Sequence, residues 1–257
     1  MQIYQVDAFT DTVFGGNPAA VCPLTEWLSE TVMQQIAMEN NLSETAFIVQ
    51  ENKKFSIRWF TPEMEIDLCG HATLAAAHVL FNHLNYKEDQ IIFNYAAGQL
   101  TVTKEMDKLS MDFPAMQYEK VDATDLLIKG LGREPLEVYK GRDIMAVYSS
   151  EYVVAEISPD TSLLNEIDAL GIIVTAEGKE ADFVSRFFAP RAGIEEDPVT
   201  GSAHCMLVPY WAAKLGKDQL HARQISSRIG ELFCEHLGDR VIIAGRAVTY
   251  MIGEISI

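Results

Sequence analysis

The sequence predicts an α+β protein of two similar lobes, each a mixed β-sheet or barrel wrapped around one central apolar helix. Three observations carry this. Residues 70–84 read as a helix that is apolar nearly all round (Ala72, Leu74, Ala75, Ala76, Ala77, Val79, Leu80, Phe81), and such a helix must be wrapped by other structure. Motifs then recur in the same order along the chain. Arg58-Trp59-Phe60-Thr61-Pro62 is echoed by Arg186-Phe187-Phe188-Ala189-Pro190, Cys69-Gly70-His71-Ala72 by Thr200-Gly201-Ser202-Ala203, and Gly98-Gln99-Leu100 by Gly230-Glu231-Leu232. The offsets are 128, 131 and 132 residues. Finally, short strand-like runs surround the apolar helix. A long repeat that occurs twice argues for two lobes and against a solenoid.

Taken in order, the first helix is expected at 26–38, where Leu28, Val32, Met33, Ile36 and Ala37 recur at helical spacing, with Thr25 as cap and Asn40-Asn41 as its end. Strands are expected at 45–49, 55–60, 91–94, 100–103 and 109–113. The second apolar helix is expected at 201–215. The polar stretch 118–125 suggests a boundary, giving lobes 1–117 and 118–246, and the alternating segment 247–257 reads as a strand that returns to the first lobe.

Composition narrows the function. The chain has 257 residues, 48% of them hydrophobic, and its 20 basic and 37 acidic side chains leave a formal charge of −17. An ordinary core is affordable in composition, which excludes disorder as the main description. The acidic balance, without a Lys/Arg-rich run, argues against nucleic acid and anionic membranes as partners. The start carries Asp7 and Asp11 and does not read as a signal peptide. The longest stretch free of Asp, Glu, Lys and Arg, 68–86, holds His71, His78, His83 and Asn82 and reads as a buried helix, not a membrane span. Four dispersed cysteines (Cys22, Cys69, Cys205, Cys234) suit reduced thiols better than a disulfide framework. A cytoplasmic protein is the expectation.

The two apolar helices open on related motifs, and two related lobes would place their N-termini on opposite sides of one cleft. Each helix start offers backbone N–H groups and a positive dipole end. Gly70 and Gly201 allow close backbone approach, while His71 and Ser202 add donors. Together they suit a small carboxylate or an enolate; alternatively, the glycines serve only as tight strand-to-helix turns. Two acidic residues are candidates for proton transfer. Glu44 stands at the entry to an apolar strand, where desolvation suits acid/base work, or else is a solvated turn residue. Asp197 lies just before the second helix start, or else serves the turn before Pro198. Cys69 sits at a helix start that would stabilise a thiolate, but the matching place in the other lobe is Thr200, so a symmetric two-cysteine mechanism is disfavoured. Cys205 is expected in the core. His71, His78 and His83 share one helix without a joining carboxylate, so no metal site is expected there. No GxGxxG, GxxxxGK[ST] or GxSxG pattern supports nucleotide binding or serine hydrolysis.

These motifs make the chain recognisable by family. Val6-Asp7-Ala8-Phe9 with Gly16-Asn17-Pro18, Asn41-Leu42-Ser43-Glu44-Thr45, Phe60-Thr61-Pro62, Cys69-Gly70-His71-Ala72-Thr73 and Glu196-Asp197-Pro198-Val199-Thr200-Gly201-Ser202-Ala203 together resemble the PhzF-like phenazine-biosynthesis family. They run in family order over nearly the whole chain. The resemblance implies a diaminopimelate epimerase fold and a cofactor-independent isomerase of a small carboxylate substrate, commonly a homodimer. It also implies that Glu44 moves a proton between two substrate carbons. His71, Asp197 and Ser202 would line the same site, with Gly70, Ala72, Thr200 and Gly201 at the substrate. An amino-acid racemase or epimerase, or a non-catalytic binding or regulatory protein on the same fold, are the alternatives. Joint retention of Glu44, His71, Asp197 and Ser202 favours an enzyme.

Overall fold

The helix that is apolar on every face is buried on every face. In the computed structural model, which describes residues 1–257, the elements up to the first apolar helix are β1 (Gln2–Ala8), β2 (Asn17–Leu24), α1 (Glu30–Asn40), β3 (Glu44–Glu51), β4 (Lys54–Phe60), β5 (Glu65–Ile66) and α2 (Gly70–Asn82). There follow β6 (Gln90–Tyr95), β7 (Gly98–Glu105), β8 (Lys108–Pro114), β9 (Glu119–Val121), α3 (Asp125–Leu131), β10 (Glu137–Lys140), β11 (Ile144–Val147), α4 (Glu151–Ala155) and α5 (Thr161–Asn165). The chain continues through β12 (Ile172–Glu177), β13 (Phe183–Ala189), β14 (Ile194–Asp197), α6 (Gly201–Leu215), β15 (Gln219–Gln224), β16 (Gly230–Leu237), β17 (Arg240–Gly245) and β18 (Ala247–Glu254).

Two compact units result. One comprises Met1–Asp112 with Ile243–Ile257, the other Phe113–Ile242. The chain passes from one to the other inside β8 and back inside β17, ahead of the polar stretch that the sequence suggests as a boundary. The two units repeat one pairing scheme. In the first, β1–β2 is antiparallel, β2–β3 parallel, β3–β4 antiparallel, β4–β6 parallel and β6–β7 antiparallel. In the second, β10–β11, β11–β12, β12–β13, β13–β15 and β15–β16 follow the same alternation. The segment β18 runs antiparallel to β1, with Ile3 opposite Gly253.

Side chains repeat as well. Arg58 pairs with Glu65 and lies 5.2 Å over the Phe60 ring, as Arg186 pairs with Glu196 and lies 4.9 Å over Phe188. In each motif the aromatic two residues on shields the guanidinium, a cation–π contact that holds the fork for its carboxylate.

In the first unit α2 packs against β1, β2, β3 and β18, and Ala72 through Ala77 are fully buried or nearly so. The other face of that sheet is covered by α1, whose Met33, Ile36 and Ala37 meet Ala20, Cys22, Phe47 and Phe60. Covered on both faces, β3 has no reason to alternate, and it is buried without a break from Glu44 to Val49 with an apolar run at Ala46–Val49. The helix α1 starts at Glu30, not 26, because Ser29 is the residue whose side chain accepts from the Val32 N–H. Asn41 ends it in the left-handed region at φ 49°, a conformation that Asn tolerates.

In the second unit α6 carries Pro209 inside the helix. Proline donates no N–H, which leaves the Cys205 carbonyl without its helical partner; the Met116 N–H fills that place at 2.9 Å. All four cysteines are free and buried, and no helix is long and apolar enough to cross a membrane.

The far end of α2 is tied to the returning strand by a chain of polar groups. Asn82 Nδ2 donates to His78 Nδ1 at 3.1 Å, so His78 Nε2 donates to Thr249 Oγ1 at 2.9 Å, and the Thr249 hydroxyl donates to His83 Nε2 at 2.7 Å. Every donor has one acceptor only if His78 is neutral. Burial, with His83 and Lys104 nearby, lowers the His78 pKa to about 4. Burial likewise lowers His204 to about 4, against the opposing pull of its bond to the Thr200 carbonyl. In the unfolded chain both protonate near 6.5. The unfolded state therefore binds more protons between those values, and stability present above pH 6.5 is lost as pH falls toward 4. At about 1.4 kcal/mol per pKa unit, each group opposes folding by roughly 3 kcal/mol at the acid end. Denaturant unfolding of the parent and His78→Asn across this window should give a variant whose slope with pH is shallower by up to one proton. Equal slopes would show that His78 is not held neutral.

Candidate active site

Three buried side chains from distant parts of the sequence meet at the start of α2. Glu44 opens β3 directly after the turn at Asn41, where Asn40 Nδ2 donates to Thr45 Oγ1 at 3.0 Å and fixes the approach. His71 is the second residue of α2, and Cys69 is the residue before it. Glu44 Oε2 lies 2.8 Å from His71 Nε2, with both side chains almost completely buried. The two groups form an ion-pair contact out of reach of water. Cys69 Sγ stands 3.5 Å from His71 Nδ1.

Burial works against a charged imidazole, but Cys69 and Glu44 together raise the His71 pKa well above its ordinary value. Burial, reinforced by Glu44, pushes the Cys69 thiol up to about 11. Removal from water therefore keeps Cys69 a thiol at neutral pH. That corrects the expectation of a helix-start thiolate: the helix end favours the anion, but removal from water opposes it more strongly.

A fourth residue completes this group. Asn17 is fully buried, and its Nδ2 lies 3.2 Å from His71 Nδ1. Asn17 opens β2 after a turn that only glycine can make at residue 16: φ is +57°, and a Cβ there would meet the Ala8 carbonyl oxygen at 2.0 Å. The sequence reading included Asn17 in a motif without giving it a role. The available signal was the polar side chain between that glycine and an apolar strand.

The second unit builds a different arrangement at the equivalent helix start. Thr200 precedes α6 as Cys69 precedes α2, and neither caps its helix with its side chain. Thr200 Oγ1 donates to Asp197 Oδ2 at 2.5 Å. Gln224, fully buried, accepts from the Thr200 N–H at 2.8 Å and donates to the Asp197 carbonyl and to Thr200 Oγ1. Thr200 is thus committed on both its hydroxyl and its amide. Gly201 and Ser202 begin α6, and Ser202 Oγ accepts from Arg142 at 2.8 Å. The same guanidinium reaches the buried Asp143 at 3.0 Å. Of the expected site residues, Glu44, Gly70, His71 and Ala72 gather at one helix start, and Asp197, Thr200, Gly201 and Ser202 at the other. Arg142 and Gln224 went unnoticed, because sequence gives no sign that they reach residues sixty and twenty-four positions away.

Comparison with known proteins decides the family. The phenazine biosynthesis-like protein family model matches residues 6–253. The chain belongs to that family. An uncharacterized isomerase of Pseudomonas aeruginosa is 48% identical over 255 residues, 99% of this chain and 98% of that protein. A crystal structure of a PhzF-family phenazine biosynthesis protein of Enterococcus faecalis superposes with a TM-score of 0.98. It is 49% identical and covers 100% of this chain and 99% of its own. A probable proline racemase of Agrobacterium radiobacter shares the fold at a TM-score of 0.64 and 12% identity, over 99% of this chain and 92% of its own. The epimerase-like α+β fold read from the sequence therefore holds.

If the Glu44 carboxylate is what keeps His71 charged, neutralising it should show directly at the ring nitrogens. In metal-free buffer, proton–nitrogen NMR spectra of the imidazoles should find His71 still protonated above pH 6.5 in the parent. In Glu44→Gln the same ring should lose its proton at lower pH. A His71 titration that ignores the substitution would show that the pairing is not electrostatic.

Proposed function

We propose that this chain is a cofactor-independent isomerase that moves a proton between two carbons of a small carboxylate substrate, with Glu44 as the acid/base. One observation carries the reading: a buried carboxylate held 2.8 Å from an imidazole, at the start of a helix that no side chain caps in the usual way. A carboxylate held out of water can return the proton it takes because no bulk water competes for it. His71 steadies the charge on Glu44 before abstraction and can donate toward the developing enolate afterwards. The amides at Gly70 and Ala72, and those at Gly201 and Ser202, suit the substrate carboxylate. Asp197 and Ser202 orient the substrate in this reading, as the family resemblance implies, and the acting form is a cytoplasmic homodimer. The names of the bacterial relatives support isomerase chemistry.

A two-thiol racemase is less well supported. Such a mechanism needs two exchangeable bases, whereas Cys69 is held as a thiol and Thr200 is bonded to Asp197 and Gln224.

Small unsaturated and amino carboxylates incubated with the protein in D₂O, followed by NMR, should reveal a substrate that shifts or exchanges a carbon-bound proton. Glu44→Gln should then lose about 10²- to 10⁴-fold in turnover, and Glu44→Asp should retain a fraction of it. Exhaustive chelation should not lower the rate. A Glu44→Gln protein near the parental rate, beside an inactive Asp197→Asn, would move the base to Asp197. A rate lost on chelation and restored by one divalent ion would refute the cofactor-independent reaction.

A further inference from the structure

The Glu44, Cys69 and His71 donor atoms all lie within 4.8 Å of one another, and all three residues are buried. Glu44 Oε2 is 2.8 Å and Cys69 Sγ 4.0 Å from the same atom, His71 Nε2. A tetrahedral ion with bonds of about 2.0–2.3 Å sets its donors roughly 3.3–3.7 Å apart. These two separations bracket that range, and the Glu44–Cys69 pair, within 4.8 Å, would close on an ion by side-chain rotation of up to about an ångström. Moreover, Glu44 Oε2 is buried with no hydrogen-bond partner beyond its ion-pair contact with His71, which leaves it lone pairs to offer an ion. We propose that Glu44, Cys69 and His71 form a binding site for a thiophilic divalent cation, zinc foremost, whose occupation takes Glu44 out of proton transfer.

The donor set selects the ion. One sulfur, one imidazole nitrogen and one carboxylate oxygen suit zinc or cadmium, whereas magnesium and calcium take oxygen ligands. Binding breaks the Cys69 S–H bond and forms a sulfur–metal bond, while His71 gives up its Nε2 proton to bind through that lone pair. Both protons pass to buffer, and nothing is oxidised or reduced. The remaining Nδ1–H then needs an acceptor, and Asn17, 3.2 Å away, supplies its carbonyl oxygen once the amide rotates. Such an outer hydrogen bond is what orients a ligating histidine. The other histidines of the helix do not compete, since His78 and His83 are bonded to Thr249. The expectation of no metal on this helix considered those three histidines together. The carboxylate and thiol that make the difference come from β3 and from the residue before the helix.

The site is independent of which reaction Glu44 performs, and its test reads binding, not turnover. Cadmium chloride is titrated into the reduced, metal-free full chain while the sulfur-to-metal charge-transfer band is followed in the ultraviolet. The band should saturate at one equivalent, be displaced by zinc, and be absent from Cys69→Ala, which keeps Cys22, Cys205 and Cys234. Glu44→Gln should keep the band with affinity weaker by at least about ten-fold, since loss of an outer partner alone costs that much. Zinc should raise the thermal midpoint of the parent and not that of Cys69→Ala. Cys69→Ser, which keeps the side chain's size, replaces Cys69→Ala if the latter does not fold. A parent without the band, a band unchanged when Cys69 is replaced, or unchanged affinity in Glu44→Gln would overturn the site. An inactive Glu44→Gln enzyme alongside absent cadmium binding would reject the metal site and leave the isomerase reading standing.

Discussion

Burying a helix that is apolar on every face constrains nearly everything else in this protein. Such a helix cannot lie on a sheet, because it has no face to give to water; it has to be surrounded. Strands β1, β2, β3 and β18 all contact α2, and α1 closes the outer face of that sheet. The cost is that the helix start is buried too, together with its amides and whatever side chains stand beside them. Polar groups brought there must answer one another. Glu44, His71, Cys69 and Asn17 do so in one unit, and Thr200, Asp197 and Gln224 in the other.

Duplication gives the two helix starts the same frame, and substitution gives them different chemistry. The shared frame is visible in detail: Thr73 Oγ1 donates back to the Cys69 carbonyl at 2.6 Å, and His204 Nδ1, at the matching place, bonds the Thr200 carbonyl at 2.8 Å. What differs is mobility of protons. Around Thr200 the hydroxyl and amide are both engaged, and Gln224 carries no titratable proton. Around His71 a carboxylate, an imidazole and a thiol lie within reach of one another. Proton transfer and metal capture draw on the same property there, a desolvated set of lone pairs close together.

Neighbouring charge and burial act in opposite directions on these groups, and the outcome depends on which is nearer. His71 and His204 are both buried histidines at helix starts. The carboxylate at 2.8 Å raises the first, whereas the second has only a backbone carbonyl and is lowered to about 4. Two members of one helix differ likewise: the pKa of His71 is raised at the buried start, and that of His78 is lowered at the other end by burial, with His83 and Lys104 nearby.

The sequence by itself determined the two-lobed fold class, the central helices at 70 and 201, five strands of the first lobe to within two residues, and Glu44 and His71 as residues of interest. These are legible because apolar periodicity and a long internal repeat are local patterns, read without knowing which segments meet. Boundaries that depend on one hydrogen bond, such as the start of α1 at Ser29, were less legible. Only the tertiary structure decided that Asn17 reaches His71, that Gln224 locks Thr200, that Arg142 reaches Ser202 and that Cys69 remains a thiol. Each of these depends on atoms brought within about 3–4 Å by packing between segments far apart in the chain, and hydrogen bonds and desolvation act only at that range.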